Sequence, residues 1–353
     1  MPHARASIRH ALEGATVPTC PAPVRPLDDA AAAELTTTAA KLLADHSRAT
    51  SLELLAALPE ACARLSDSVR HALRPVDTPD GLFVLRGLHP DDAALGPTPG
   101  HWSSVGDAGA LWDVVLLLVS SLMGTPIAWE GQQDGRFVHN IVPSPGHESE
   151  QTGASSDVLL TPHTEDAFHP GRAHLLLLCC MRNHDHIATT AASIRRTALA
   201  PADVEQLERP AVPILPDDAY EEAQRYAGRP APVPALFDTP EGLTLRFDPA
   251  YTPLAEADAE WREAYRRLED ELARVSVAVS LEPGDVLVVD NDIVVHGRVP
   301  FTARYDGTDR WLKRASVRVE DRPTRPSAER DEHGYGQTAL TAWTASPACS
   351  IRR

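Results

Sequence analysis

Val158-Leu159-Leu160-Thr161-Pro162-His163-Thr164-Glu165 is the stretch on which the reading of this chain turns. An apolar run enters a His, and a carboxylate follows two residues later. Residues i and i+2 of a strand point to the same face, so His163 and Glu165 can reach one metal ion. A second His, His296, closes another strand-like stretch, Gly284-Asp285-Val286-Leu287-Val288-Val289-Asp290 leading to Val294-Val295-His296-Gly297. Its strand must lie alongside the first for the three to meet. Two histidines and one carboxylate make a facial triad, which holds Fe(II) on one side and leaves positions open for oxygen and a co-substrate. A His-x-Glu pair alone is weak evidence in a chain with 15 His and 50 Asp plus Glu, where it also arises by chance.

The residues after His296 add weight. Arg298, Arg304, Arg310 and Arg314 cluster there. An iron oxygenase that consumes 2-oxoglutarate needs a fixed cation for the far carboxylate of that diacid. The planar fork of Arg pairs with a carboxylate through two hydrogen bonds. Arg310 follows His296 at a distance that allows one turn and a return strand. Tyr305-Asp306-Gly307 supplies turn chemistry. The competing reading of Arg310 is a surface side chain paired with Asp306 or Asp309.

Three blocks resemble the clavaminate synthase-like oxygenases. They are His163-Thr164-Glu165-Asp166-Ala167-Phe168-His169-Pro170, Val295-His296-Gly297-Arg298, and Phe301-Thr302-Ala303-Arg304-Tyr305-Asp306-Gly307-Thr308-Asp309-Arg310-Trp311-Leu312-Lys313-Arg314. The last is far more specific than the triad. The resemblance runs from about Phe83 to about Val319. It implies a double-stranded β-helix and iron ligands at His163, Glu165 and His296. It also implies Fe(II), 2-oxoglutarate and O2 as the reacting set, and hydroxylation of an amino acid, as in antibiotic pathways. Thr190 matches a position that offers a hydroxyl to the 2-oxoglutarate carboxylate, although a Thr in a strand is also an ordinary strand residue.

The same resemblance implies that Arg314 grips the substrate α-carboxylate and that Gln132 receives the α-amino group, with a contribution from Glu165. Adjacent Gln133 is a rival for the Gln132 role. In the arginine hydroxylases of this family two acids fork the guanidinium. Here the matching segment is Phe247-Asp248-Pro249-Ala250, which keeps one acid at Asp248 and loses the other. The expected substrate is a polar or basic L-amino acid of arginine, lysine or citrulline type, oxidised at C3 or C4. The other reading of Asp248-Pro249 is a turn former. Whether the amino acid is free or bound to a carrier protein is open from sequence.

Composition sets outer bounds. The chain has 353 residues, 43% of them hydrophobic, and a formal net charge of −17. Such acidity repels nucleic acid and anionic membranes, so neither is an expected partner. None of the five Cys sits in a CxxC pair, and Cys179-Cys180 read as small apolar residues of a buried strand. No secretory h-region and no membrane-length apolar run stand out, which leads us to expect a cytoplasmic setting.

Along the chain, residues 1–27 read as a loose arm and 28–319 as one oxygenase domain. Residues 320–353 read as a tail. Helical spacing starts at Asp28 and recurs from Ser51 to Leu73, with a break or a new first turn expected at Pro59. A helix from Ala108 to Met123 follows. Strand signals then dominate, with a lid-like insertion at about 197–275. Helices first and eight or so short strands after predict a mainly β fold with flanking helices around a jelly-roll core, a squashed barrel with the metal in its mouth. Desaturation or ring closure by the same chemistry is an alternative activity. A metal-binding jelly roll without catalysis is an alternative class, disfavoured by the Arg310 and Arg314 pair. Glu165 argues against halogenation, which uses a small residue there. A zinc hydrolase lacks a base near His163 other than Asp166.

Overall fold

The computed structural model describes residues 22–46, 48–106, 109–217, 220, 231–320, 322, 325, 329 and 337–343. The first part holds β1 (Val24–Pro26), α1 (Asp29–His46), α2 (Leu52–Arg64), α3 (Asp67–Ala72), β2 (Leu82–Arg86), α4 (Asp92–Leu95) and α5 (Ala110–Met123). Then come β3 (Thr125–Trp129), β4 (Val138–Ile141), β5 (Leu160–His163), β6 (Leu175–Arg182) and β7 (Thr189–Ser193). The last part holds α6 (Pro201–Leu207), β8 (Leu236–Thr239), β9 (Gly242–Leu245), α7 (Ala259–Val275), β10 (Val277–Val279), β11 (Val286–Asp290), β12 (Val294–Arg298), β13 (Trp311–Arg318) and β14 (Ala339–Thr341).

Two sheets carry the body. The larger runs β1-β2-β11-β6-β13-β3-β14, with β4 also on β13, and the smaller runs β10-β7-β12-β5. All described pairings are antiparallel except β1 with β2. The fold is the expected mainly β, jelly-roll type with flanking helices. The barrel is not closed, because the sheets face each other without joining into one ladder.

Strand periodicity builds both cores. On β6, Leu175, Leu177, Cys179 and Met181 point to the helices, while Leu176, Leu178 and Cys180 point to the smaller sheet. On β11, Val286 and Val288 take the helix side, and Leu287 and Val289 the inner side. These strands read as unbroken apolar runs because both faces are covered. Helix α5 lies across this outer face and buries most of its residues, including Val114 through Val119. It stops at Gly124, where a Cβ would stand 2.4 Å from the carbonyl oxygen of Arg318. That approach admits only glycine.

Several expected boundaries move. The stretch from Ser51 to Leu73 is two helices, capped separately by the hydroxyls of Ser51 and Ser66. Pro59 does not break the first. Its apolar stripe of Leu54, Leu55, Leu58, Ala61 and Cys62 is packed into the core on both sides of the proline. The arm expected over residues 1–27 includes β1, which extends the larger sheet; residues 1–21 lie outside the described residues. The tail contributes β14, paired with β3. Within the insertion, α7 buries Trp261, Ala264, Tyr265, Leu268 and Leu272 in the inner core cluster, so much of it acts as a buttress. No helix among the described residues is long and apolar enough to cross a membrane.

Candidate metal centre and substrate cavity

β5 and β12 run antiparallel with His163 directly opposite His296. The two rings lie 4.5 Å apart between centroids. Next to His296, a Cβ on Gly297 would stand 2.4 Å from the carbonyl oxygen of Leu160, so glycine is what lets β5 come this close. Glu165 lies just past the end of β5. There the chain leaves β12 and pairs with the insertion: Thr164 N–H donates to Phe247 O at 2.7 Å, and Phe247 N–H donates to Thr164 Oγ1 at 3.2 Å.

The ligand atoms of His163, Glu165 and His296 all lie within 4.8 Å of one another. Glu165 Oε2 is 3.8 Å from His163 Nε2 and 3.4 Å from His296 Nε2. His163 Nδ1 meets Thr161 O at 2.8 Å, which puts the proton on Nδ1 and leaves Nε2 as the donor atom for a metal. Glu165 Oε2 is buried without a hydrogen-bond donor among the described residues. A cation between one carboxylate oxygen and two imidazole nitrogens satisfies all three, so the residues fit the expected iron.

Asn291 holds the carboxylate ligand from behind. It lies fully buried in the turn between β11 and β12. Its Oδ1 accepts from Glu165 N at 2.8 Å, and its Nδ2 donates to Glu165 O at 3.0 Å and Ala173 O at 3.1 Å. Asp290 and Asp292 flank it, the first paired with Arg322 and the second with Arg325 at 2.9 Å and Arg172 at 3.3 Å.

A cavity of about 390 Å³ opens beside this cluster, between the two sheets. His163, Glu165, His296, Arg310 and Arg314 all line it, with Leu178 and Leu312 among the apolar wall. Arg310, Leu312 and Arg314 alternate along one face of the chain entering β13, as the spacing predicts. Arg310 is buried, and its Nη2 donates to Thr189 Oγ1 at 2.7 Å. Its Nε has no acceptor, and no carboxylate partner stands near it among the described residues. Burial pushes its pKa down to about 10.

The hydroxyl that meets Arg310 belongs to Thr189, not Thr190 as expected. The reason is register. β7 pairs Thr189 with Arg298 and Ala191 with His296, so these share the cavity face. Thr190 pairs with Gly297 and points away, and its Oγ1 has no hydrogen-bond partner among the described residues. One position along a strand exchanges the faces.

Arg314 reaches three groups. Nη1 pairs with Glu165 Oε1, Nη2 meets His139 Nδ1 at 2.9 Å, and Nη2 lies 3.4 Å from Gln132 Oε1. Burial alone would raise the pKa of Glu165. Arg314, His163 and His296 overcome it and hold the carboxyl well below the ordinary range. Burial, reinforced by Arg314, lowers His139 to about 3, so His139 is neutral and accepts. Gln133 is engaged elsewhere: its amide bonds both backbone groups of Asn140 at 2.9 and 3.0 Å. Of the two glutamines, Gln132 is the one that reaches Arg314.

Asp248 is not among the described residues that line the cavity. It is buried close to His163, and its Oδ1 accepts from Ala250 N at 3.1 Å, which is turn-former geometry. Burial pushes it up to about 7. Asp217, from the insertion, lines the cavity instead. Sequence reading passed over Asp217, Thr189, His139 and Asn291. None sits in a motif, and only the register of β7 and β4 and the folded path of the insertion bring them here.

Residues 115–316 match the family described as taurine catabolism dioxygenase TauD, TfdA family. The chain is 38% identical over 286 residues to enduracididine beta-hydroxylase of Streptomyces hygroscopicus, covering 73% of this chain and 83% of that one. The non-heme iron oxygenase OrfP, solved with Fe, succinate and (3S)-hydroxy-L-Arg, superposes with a TM-score of 0.76 at 36% identity, over 84% of this chain and 95% of that chain. Asparagine oxygenase, solved with Fe(II), 2S,3S-3-hydroxyasparagine and succinate, gives 0.77 at 34% identity, over 84% and 93%. With its His-Glu-His cluster and paired arginines, the chain belongs to the TauD, TfdA dioxygenase family and, within it, to the clavaminate synthase-like oxygenases that use iron and 2-oxoglutarate.

Proposed function

We propose that this oxygenase hydroxylates the side chain of a free basic or polar L-amino acid, of arginine, lysine or citrulline type, at C3 or C4. The observation that carries the reading is a pair of arginines on one cavity wall beside the His-Glu-His cluster, Arg310 buried and Arg314 partly buried. Arg310 has no carboxylate partner among the described residues, and a buried cation in that state requires an anionic ligand. The distal carboxylate of 2-oxoglutarate meets that need, with Thr189 as its neutral neighbour. Arg314 on the cavity wall would pair with the α-carboxylate of an amino acid, and Gln132 and Asp217, on the same wall, would accept from its ammonium. A thioester on a carrier protein has no such carboxylate, so the arginine favours the free amino acid.

His163, Glu165 and His296 would hold iron, which when bound supplies oxygen activation coupled to decarboxylation of 2-oxoglutarate. The chain's own residues set the geometry. Arg310 orients the co-substrate, Arg314 fixes the head of the substrate, and Leu178 and Leu312 keep water from the wall between them. Relatives named for arginine, ornithine, lysine and enduracididine support a basic side chain. The test is anaerobic loading with Fe(II) and 2-oxoglutarate, titration with a panel of polar amino acids, then oxygen, with succinate and product mass as readouts. A product sixteen mass units heavier is expected on a basic amino acid, and none with His296→Ala. Succinate formed equally with and without every amino acid would overturn the reading.

A further inference from the structure

Asp166 follows the carboxylate ligand directly, yet its side chain turns away from the metal cluster. Its φ of 51° is left-handed, a conformation that Asp and Asn tolerate better than most residues. The residue is 5% exposed, and its carboxylate gathers three donors. Trp129 Nε1 donates to Oδ2 at 2.7 Å, Tyr220 Oη to Oδ1 at 2.5 Å, and Gln132 Nε2 approaches Oδ1 at 3.4 Å. The donors come from β3, from the loop after it and from the insertion. Around them Trp129, Ala167, Phe168, Ile214, Tyr220 and Val233 form a separate apolar cluster, with Phe168 edge-on to Tyr220 at 4.9 Å.

The Gln132 amide presents its NH2 end to Asp166 Oδ1 and its Oε1 to Arg314 and the cavity. Tyr220 N–H also closes a turn on Asp217 O at 3.3 Å, so the bond from Tyr220 to Asp166 seats the turn that carries Asp217 on the cavity wall. Gln132 and Asp217, both on the cavity wall, are thus held by one buried group that is not among the residues lining the cavity.

We propose that Asp166 is a specificity-determining positioning residue: by binding Gln132, Trp129 and Tyr220 together it aims Gln132 Oε1 and Asp217 at the α-ammonium of the substrate, and so selects amino acids over their des-amino analogues. This rests on the function proposed above. Asp166→Asn keeps the shape and the left-handed backbone. An amide, however, turns its NH2 either against Trp129 Nε1 or against Tyr220 Oη and Gln132 Nε2 together, so the three-way grip is broken in either orientation. Tyr220→Phe removes one donor and leaves the carboxylate, which serves if Asp166→Asn does not fold.

The experiment uses the anaerobic holoenzyme with Fe(II) and 2-oxoglutarate, whose charge-transfer absorption shifts as substrate arrives. L-arginine is titrated against 5-guanidinopentanoate, the same molecule without the amino group. Wild type is expected to prefer arginine by roughly tenfold or more, the scale of a charged hydrogen bond. Asp166→Asn is expected to lose most of that preference, with 5-guanidinopentanoate binding and the 2-oxoglutarate absorption unchanged. Tyr220→Phe should lose part of it. Equal weakening of both ligands, or an unchanged preference in both variants, overturns the inference alone. A wild type that forms no charge-transfer absorption overturns the proposed function, and this inference with it.

Discussion

Arg314 and the histidines divide Glu165 between them. Arg314 pairs with Oε1, and His163 and His296 face Oε2. One oxygen is thereby left for the metal and the other is tied to a cation on the substrate side. Charge on the carboxylate is compensated even before a metal arrives.

Arg314→Lys tests that division. A lysine keeps the charge but cannot span Glu165, His139 and an incoming α-carboxylate at once. Amino-acid affinity should fall about tenfold or more, while Fe(II) content and 2-oxoglutarate binding stay near wild type. Metal analysis and the anaerobic titration separate the two outcomes.

Arg310→Lys should weaken 2-oxoglutarate instead, on the order of tenfold, with amino-acid binding little altered. An unchanged apparent affinity for 2-oxoglutarate would move the clamp to Arg298, which also lines the cavity.

The register of β7 gives a sharper comparison. Thr189→Val removes the hydroxyl that meets Arg310 and should raise the 2-oxoglutarate KM several-fold. Thr190→Val, on the opposite face, should leave it unchanged. The reverse result would mean that β7 pairs one residue out of the register described.

Asn291→Ala leaves both backbone groups of Glu165 without their partner. The carboxylate ligand should lose its fixed position, and Fe(II) affinity should drop about tenfold or more, as expected when the support of a ligand is removed. Competition with a chelator measures this without turnover.

The ion cluster behind Asn291 predicts acid sensitivity. Burial works against ionised Asp292, but Arg325, Arg172 and Arg322 overcome it and hold its pKa below the ordinary carboxylate range. A depressed carboxylate adds stability that is present above its unfolded value and is lost as pH falls through the folded one. Urea unfolding should therefore weaken steadily below about pH 4. Asp292→Asn should flatten that limb and, by taking from Arg325 the carboxylate it pairs with at 2.9 Å, cost about 3 kcal/mol at neutral pH.

How much was legible before folding follows from how local each signal was. His163 and Glu165 are visible because they lie two residues apart in one short segment, although the strand itself ends at His163, and Arg310 and Arg314 because period 2 carries through one strand entry. Thr190 was off by one because periodicity says which residues share a face but not which face is inward; that is decided by the pairing of β7 with β12. Asp248 was read from a local segment, whereas the position of Asp217 depends on the whole path of the insertion. Pro59 signalled a break that core packing on both sides suppressed. The helix breaks where Ser66 offers a cap.

The rung between Thr164 and Phe247 has a bearing on engineering. It stitches the segment before Asp248 to the residue between two proposed iron ligands. Grafting a relative's insertion to retune selectivity would therefore disturb metal retention unless the graft ends before residue 243 or preserves that two-way bond. The two properties are mechanically linked, and modular exchange has to respect the seam.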